Sequence, residues 1–108
     1  MSLLSDELTV VIPTYNRYGC LERLLNYYQD FSSRLNILIL DSSKEKQKIS
    51  QVDNLNVEYK EYPSDKPPAI KILEGILNVR TEFVVLCADD DFLFEQGLLE
   101  SLKFLKEN

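Results

Sequence analysis

Three consecutive aspartates, Asp89-Asp90-Asp91, follow the most apolar run of the chain, residues 83–88. Carboxylates this close raise one another's pKa and repel. A divalent cation relieves that repulsion. Hard Mg²⁺ or Mn²⁺ prefers carboxylate oxygen, and Mg²⁺ typically takes one or two carboxylates together with substrate phosphates. The triplet therefore reads as a candidate metal–phosphate site. A local reading competes with it, in which Asp91 caps the helix that follows and its neighbours favour the helix dipole. Delivery of the triplet by the most apolar strand favours the metal.

Other residues carry weaker signals. Asp41 ends a second apolar run, residues 37–40, where a carboxylate can accept hydrogen bonds from a base edge or a ribose hydroxyl. Taken alone, it reads as a turn former before Ser42-Ser43. Tyr15 has the face to stack on a base and Arg17 the fork to meet a phosphate. Taken alone, Tyr15 is a packing residue at a helix edge. Lys66 and Lys71 lie near the start of a helical stretch and could reach a diphosphate, although solvated lysines are the plainer reading. Neither GxGxxG nor GxxxxGK[ST] occurs, which excludes the dinucleotide fingerprint and the P-loop.

Elements that position these residues follow from the hydrophobic pattern. Residues 8–13 form a strand rich in β-branched side chains and apolar on both faces, as in a parallel sheet. A turn at Tyr15-Asn16-Arg17-Tyr18-Gly19 leads to a helix over 20–31, with Leu21, Leu24, Leu25, Tyr28 and Phe31 at helical spacing. Residues 36–40 are a second buried strand. A polar, lysine-rich loop over 44–54 follows, with a short helix expected around 49–52. Residues 56–59 alternate as an edge strand does.

Ser64 or Asp65 then caps a helix that has proline in its first turn and runs to about Val79. Its expected inward face is Ala69, Ile72, Leu73, Ile76 and Leu77. Residues 82–87 are a fourth strand, and 94–106 a last helix with Leu98, Leu99, Leu102 and Leu105 on one side. Strands alternating with helices predict an α/β fold, a Rossmann-like open, mostly parallel four-stranded sheet flanked by helices. Ligands of such sheets sit beyond the carboxyl ends of the strands. That brings Pro13-Thr14-Tyr15-Asn16-Arg17, Asp41-Ser42-Ser43 and Asp89-Asp90-Asp91 to one rim.

Composition sets outer bounds. The 108 residues suit one domain, and 18 Asp plus Glu against 12 Lys plus Arg leave a net charge of −6. A chain this acidic is a poor wrapper of nucleic acid phosphates, so no nucleic-acid partner is expected. It has no histidine, which removes His-based catalysis and His-ligated metal sites. No apolar run approaches the roughly 18 residues of a membrane span. Residues 1–7 read as a leader or disordered N-terminus, without the pattern of a secretory signal. Cys20 and Cys87 fit no metal or redox spacing and read as two buried free thiols of a reducing compartment.

Taken together, Thr9-Val-Val-Ile-Pro-Thr-Tyr-Asn-Arg17, Leu38-Ile-Leu-Asp-Ser-Ser43 and Val84-Val-Leu-Cys-Ala-Asp-Asp-Asp-Phe92 resemble the glycosyltransferases of family 2, which have the GT-A fold. The resemblance covers residues 8–108 and implies the nucleotide-sugar-binding half of that fold. It implies that Pro13, Tyr15 and Arg17, with Asp41, hold the base of a nucleotide-diphosphate sugar. The acidic motif implies Asp89 on the ribose and Mg²⁺ or Mn²⁺ on Asp91 or Asp90. One alignment shifts that motif so that Cys87 falls on its first aspartate. Lys71 is the candidate for the diphosphate. Where the family often has an Arg-Asn pair, this chain has Pro67-Pro68-Ala69-Ile70-Lys71.

The activity implied is inverting sugar transfer to an unknown acceptor, a saccharide or a lipid-linked glycan. The acceptor-binding half and its general base are expected outside residues 8–108, so this chain alone is expected to bind donor and transfer nothing. The expected location is the cytoplasm, including its membrane face. A homo-oligomer is expected through an uncovered sheet edge or the last helix. The rival reading is a binding or scaffold module that keeps the fold without catalysis. Another metal-dependent nucleotide enzyme ranks lower, because the chain lacks a glycine-rich first loop and an aspartate nucleophile after the first strand.

Overall fold

The computed structural model describes residues 4–47, 49 and 52–107. In chain order the elements are α1 (Leu4–Glu7), β1 (Leu8–Thr14), α2 (Tyr18–Tyr28), β2 (Leu35–Asp41), β3 (Leu55–Glu61), α3 (Pro68–Leu77), β4 (Phe83–Leu86) and α4 (Glu95–Glu107). The four strands form one sheet in the order β3-β2-β1-β4. Every pairing is parallel. The α/β, Rossmann-like expectation is met, and the sheet is parallel throughout rather than mostly so.

Burial explains this arrangement. β1 and β2 are apolar on both faces and occupy the centre. One face carries Val10, Ile12, Ile37 and Ile39, packed with Leu21, Leu24, Leu25 and Tyr28 of α2, Leu98 and Leu102 of α4, and Leu4. The other presents Val11, Leu38 and Leu40. β3 lies at one edge, as its alternation predicted, with Asn56, Val57 and Glu58 exposed.

Chain direction defines the site. From β1 the chain steps to β2 and β3, then returns through α3 to place β4 on the other side of β1. The order therefore reverses between β1 and β4. In open α/β sheets that reversal opens the ligand crevice at the carboxyl ends of the strands.

Several expectations need correction. Leu4–Glu7, set aside with the leader, forms a helical turn whose Leu4 is buried in the core. The inward face assigned to α3 is also revised: Lys71 and Gly75 are its buried residues, Ala69 is exposed, and Leu73 and Leu77 are 58% and 74% exposed. The cause is a close approach, since a Cβ on Gly75 would lie 2.6 Å from Leu40 Cδ1. A helix that sits this near the sheet does so through its smallest residue, which turns the leucines outward. Neither Ser64 nor Asp65 caps α3; Pro67 is its N-cap residue and Pro68 opens it.

β4 is an edge strand among the described residues, and its Val84 and Leu86, on the same sheet face as Val11, are exposed. On α4, Leu98 and Leu102 are buried while Leu99 and Leu105 are exposed. Cys20 is half-buried and Cys87 buried, both as free thiols. The short helix expected around 49–52 falls partly outside the described residues.

Candidate functional site

β1 and β2 pair so that Thr14 stands opposite Asp41, and β1 pairs with β4 from Leu8 to Val11. The backbone N–H of Cys87 extends that contact by donating to Val11 O at 2.9 Å. The tips of β1, β2 and β4 thus meet at one rim. Beyond β4 the chain turns tightly, with Asp91 N–H donating to Ala88 O at 3.2 Å. Asp91 does not cap the last helix, which begins at Glu95.

This turn buries one of the three carboxylates and leaves the other two exposed. Asp89 is buried and points at β1, where the Thr14 hydroxyl donates to its Oδ2 at 2.8 Å. Its Oδ1 lies 3.3 Å from Arg17 Nη1, and Asp90 Oδ2 lies 3.3 Å from Arg17 Nη2. The Arg17 pKa is raised by Asp89 first and Asp90 second. Asp90 and Asp91 are exposed. Among the described residues, no three acidic or cysteine side chains gather as a metal cluster. The donor set still suits a hard cation, since two adjacent exposed carboxylates match the one or two that Mg²⁺ takes beside phosphates.

Asp41 is fully buried at the end of β2. Its Oδ1 accepts the backbone N–H of Ser43 at 2.8 Å and the Ser43 hydroxyl at 2.5 Å. Its Oδ2 accepts the hydroxyls of Tyr18, from α2, and Tyr59, from β3. Burial pushes the carboxyl pKa up, but the bonds from Ser43, Tyr18 and Tyr59 outweigh it and hold it below the usual value. Burial, then the bond to Asp41, pushes the Tyr59 hydroxyl pKa far upward. The residue expected to read a base is an internal hub that ties three elements to the rim.

Lys71 is buried as well, 3% exposed. Its ammonium donates to Ser42 Oγ at 2.7 Å and to Thr14 O at 3.3 Å, clamping the tips of β1 and β2 from beneath. Burial lowers its pKa, against the opposing pull of Asp41 and Asp89. Lys66 is engaged elsewhere, with Glu74 at 2.9 Å and over the Tyr62 ring.

Pro13 is half-buried within β1, and Tyr15 stands exposed at its end. Asn16 follows with φ 54°, a left-handed conformation that asparagine tolerates. Its N–H donates to Ser43 Oγ at 2.7 Å, and its side-chain oxygen accepts Lys44 N–H at 3.0 Å. Beside this turn lies an open cleft of about 790 Å³, lined in part by the cations Arg17, Arg23 and Lys44.

Sequence reasoning assigned no role to Thr14, Tyr18, Ser43 or Tyr59. Thr14 and Ser43 lay inside the quoted motifs, so their positions were visible. Tyr59 had no signal, because its part depends on the pairing of β3 with β2.

A parallel sheet with its polar tips at the topological switch point defines a Rossmann-like fold. Residues 9–108 match glycosyl transferase family 2, and the chain belongs to that family. Its fold is similar to that of the crystal structure of S. aureus TarS 1-349, with TM-score 0.68 and 24% identity. That match covers 94% of this chain and 32% of TarS 1-349, so the chain spans about a third of that structure. No curated protein matches the chain. No helix among the described residues is long and apolar enough to cross a membrane.

Proposed function

We propose that this chain is the donor-binding part of an inverting sugar transferase, holding a nucleotide-diphosphate sugar at the tips of β1, β2 and β4. The observation that carries this reading is the contact of Thr14 and Arg17 with Asp89 across the switch point. The basic cleft beside it supports the reading, because it offers Arg17, Arg23 and Lys44 to an anion on a chain of net charge −6.

Roles follow from exposure. Tyr15 offers its face to the base, next to Pro13. Arg17, exposed, meets a phosphate, and the acidic motif of the family, rather than exposure, assigns the buried Asp89 to the ribose. Asp41 and Lys71 act from beneath by fixing the rim that the donor touches. Asp90 and Asp91 would hold Mg²⁺ or Mn²⁺, which supplies positive charge for the leaving diphosphate. The acceptor would be a saccharide or lipid-linked glycan, and the general base for its hydroxyl is proposed to lie outside residues 8–108. The proposed location is the cytoplasm, including its membrane face, and the open edge of β4 or α4 is the proposed surface for self-association. Sedimentation showing only monomer at high concentration would count against that association.

Calorimetric titration with UDP and GDP, with and without Mn²⁺, tests the donor reading. Weak, metal-dependent binding is expected, with no sugar transfer by this chain alone. Absent or metal-independent binding overturns it. One rival, a scaffold that keeps the fold without catalysis, is favoured by Asp41 and Lys71, which are buried and bonded to internal partners. Replacing Asp90 and Asp91 by Asn separates the two: a donor site loses metal-dependent binding, whereas a scaffold gains stability as repulsion falls.

A further inference from the structure

We propose that Asn16 reads the base of the sugar nucleotide and selects the keto bases uracil and guanine over the amino bases cytosine and adenine. This deepens the reading of the rim as a sugar-nucleotide site and rests on it. Asp41, the carboxylate first expected in that role, is fully buried and spent on Ser43, Tyr18 and Tyr59. Base recognition therefore falls to a group on the outer side of the rim. Asn16 follows Tyr15, the proposed stacking face, and it lines the open cleft beside the turn.

The residue is held from two sides. Its backbone N–H donates to Ser43 Oγ at 2.7 Å, and the same hydroxyl donates to Asp41 Oδ1. The buried carboxylate thus anchors the residue above it through one serine. The side-chain amide also has a fixed sense. The backbone N–H of Lys44 can only donate, so the atom it meets at 3.0 Å is the amide oxygen. Nδ2, with its two N–H groups, is the other branch of the amide, and no described residue accepts from it. A group that only donates suits a carbonyl. O4 of uracil or O6 of guanine accepts from it, whereas the amino group that replaces it in cytosine or adenine is itself a donor. Glu45 and Gln47 share the cleft, but both are exposed and no hydrogen bond to a described residue fixes their side chains.

Calorimetric titration of the 108-residue chain with UDP, CDP, GDP and ADP, each with Mn²⁺, tests this alongside Asn16→Asp and Asn16→Gly. UDP should bind about tenfold more tightly than CDP, and GDP than ADP, the worth of one hydrogen bond that the wrong base cannot make. Aspartate keeps an oxygen for Lys44 and tolerates the same backbone, but it turns the free branch into an acceptor. Glycine keeps the backbone and removes the amide. The ratio within each pair is the readout, because an added carboxylate repels both diphosphates alike. Both variants should lose the keto preference. A parent chain without that preference, or a variant that retains it, overturns the assignment and leaves the sugar-nucleotide site standing. Failure of all four nucleotides to bind the parent chain removes that site and this assignment together.

Discussion

The Thr14 hydroxyl reaches Asp89 Oδ2 at 2.8 Å, joining the tips of β1 and β4. Both residues are buried, so neither partner has water to fall back on. Thr14→Val keeps the shape and removes the donor. An expected loss of about 1–3 kcal/mol follows from leaving a buried carboxylate oxygen short of a partner. Thr14→Ser should restore most of it. Urea unfolding of the three chains checks the order, and a valine variant as stable as the parent would show that the bond holds nothing.

Asp41 predicts an acid dependence. Its folded pKa lies below the unfolded value, so its contribution is present above the ordinary carboxylate range. That contribution is lost as pH falls through the folded pKa. Asp41→Asn should therefore cost stability at neutral pH, about 1.5–3 kcal/mol for the charge-assisted bonds. It should also flatten the fall of stability below pH 4. Unfolding measured across pH 2–7 compares the two chains, and parallel curves would contradict the prediction.

Gly75 predicts a steric effect that runs against helix propensity. Alanine favours a helix over glycine by about 1 kcal/mol. Here its Cβ would lie 2.6 Å from Leu40 Cδ1 in a packed interior. Gly75→Ala is expected to destabilise by about 1–2 kcal/mol, within the usual range for overpacking. Pairing it with Leu40→Ala should cost less than the sum of the single changes, as neighbours sharing a space do. Additive costs would show that the two residues do not compete.

These particulars show where sequence is legible. The apolar runs of β1 and β2 and the spacing of α2 speak directly, because burial on both faces of a strand or one stripe of a helix leaves a pattern. The meeting of the three polar tips followed from the alternation of elements. The face of α3 does not, since its apolar stripe predicts one buried face and Lys71 with Gly75 takes that place. Side-chain direction at the rim was equally hidden. Asp41 and Lys71 bear ligand-like charges, yet both are spent on internal partners that only the packing of α2, α3 and β3 around β2 supplies. Nothing in a run of three aspartates says that one turns inward and two outward.

The order of the strands bears on how the rim comes into being. Thr14 and Asp89 are 75 residues apart in sequence, and β4 joins through four paired positions after α3 has crossed the sheet. Closing so long a loop delays a contact until nearer pairings have formed. The acidic turn thus docks late onto an already assembled β1–β2 centre. A nascent chain carries the tyrosine–aspartate hub before β4 brings Asp89 to the rim.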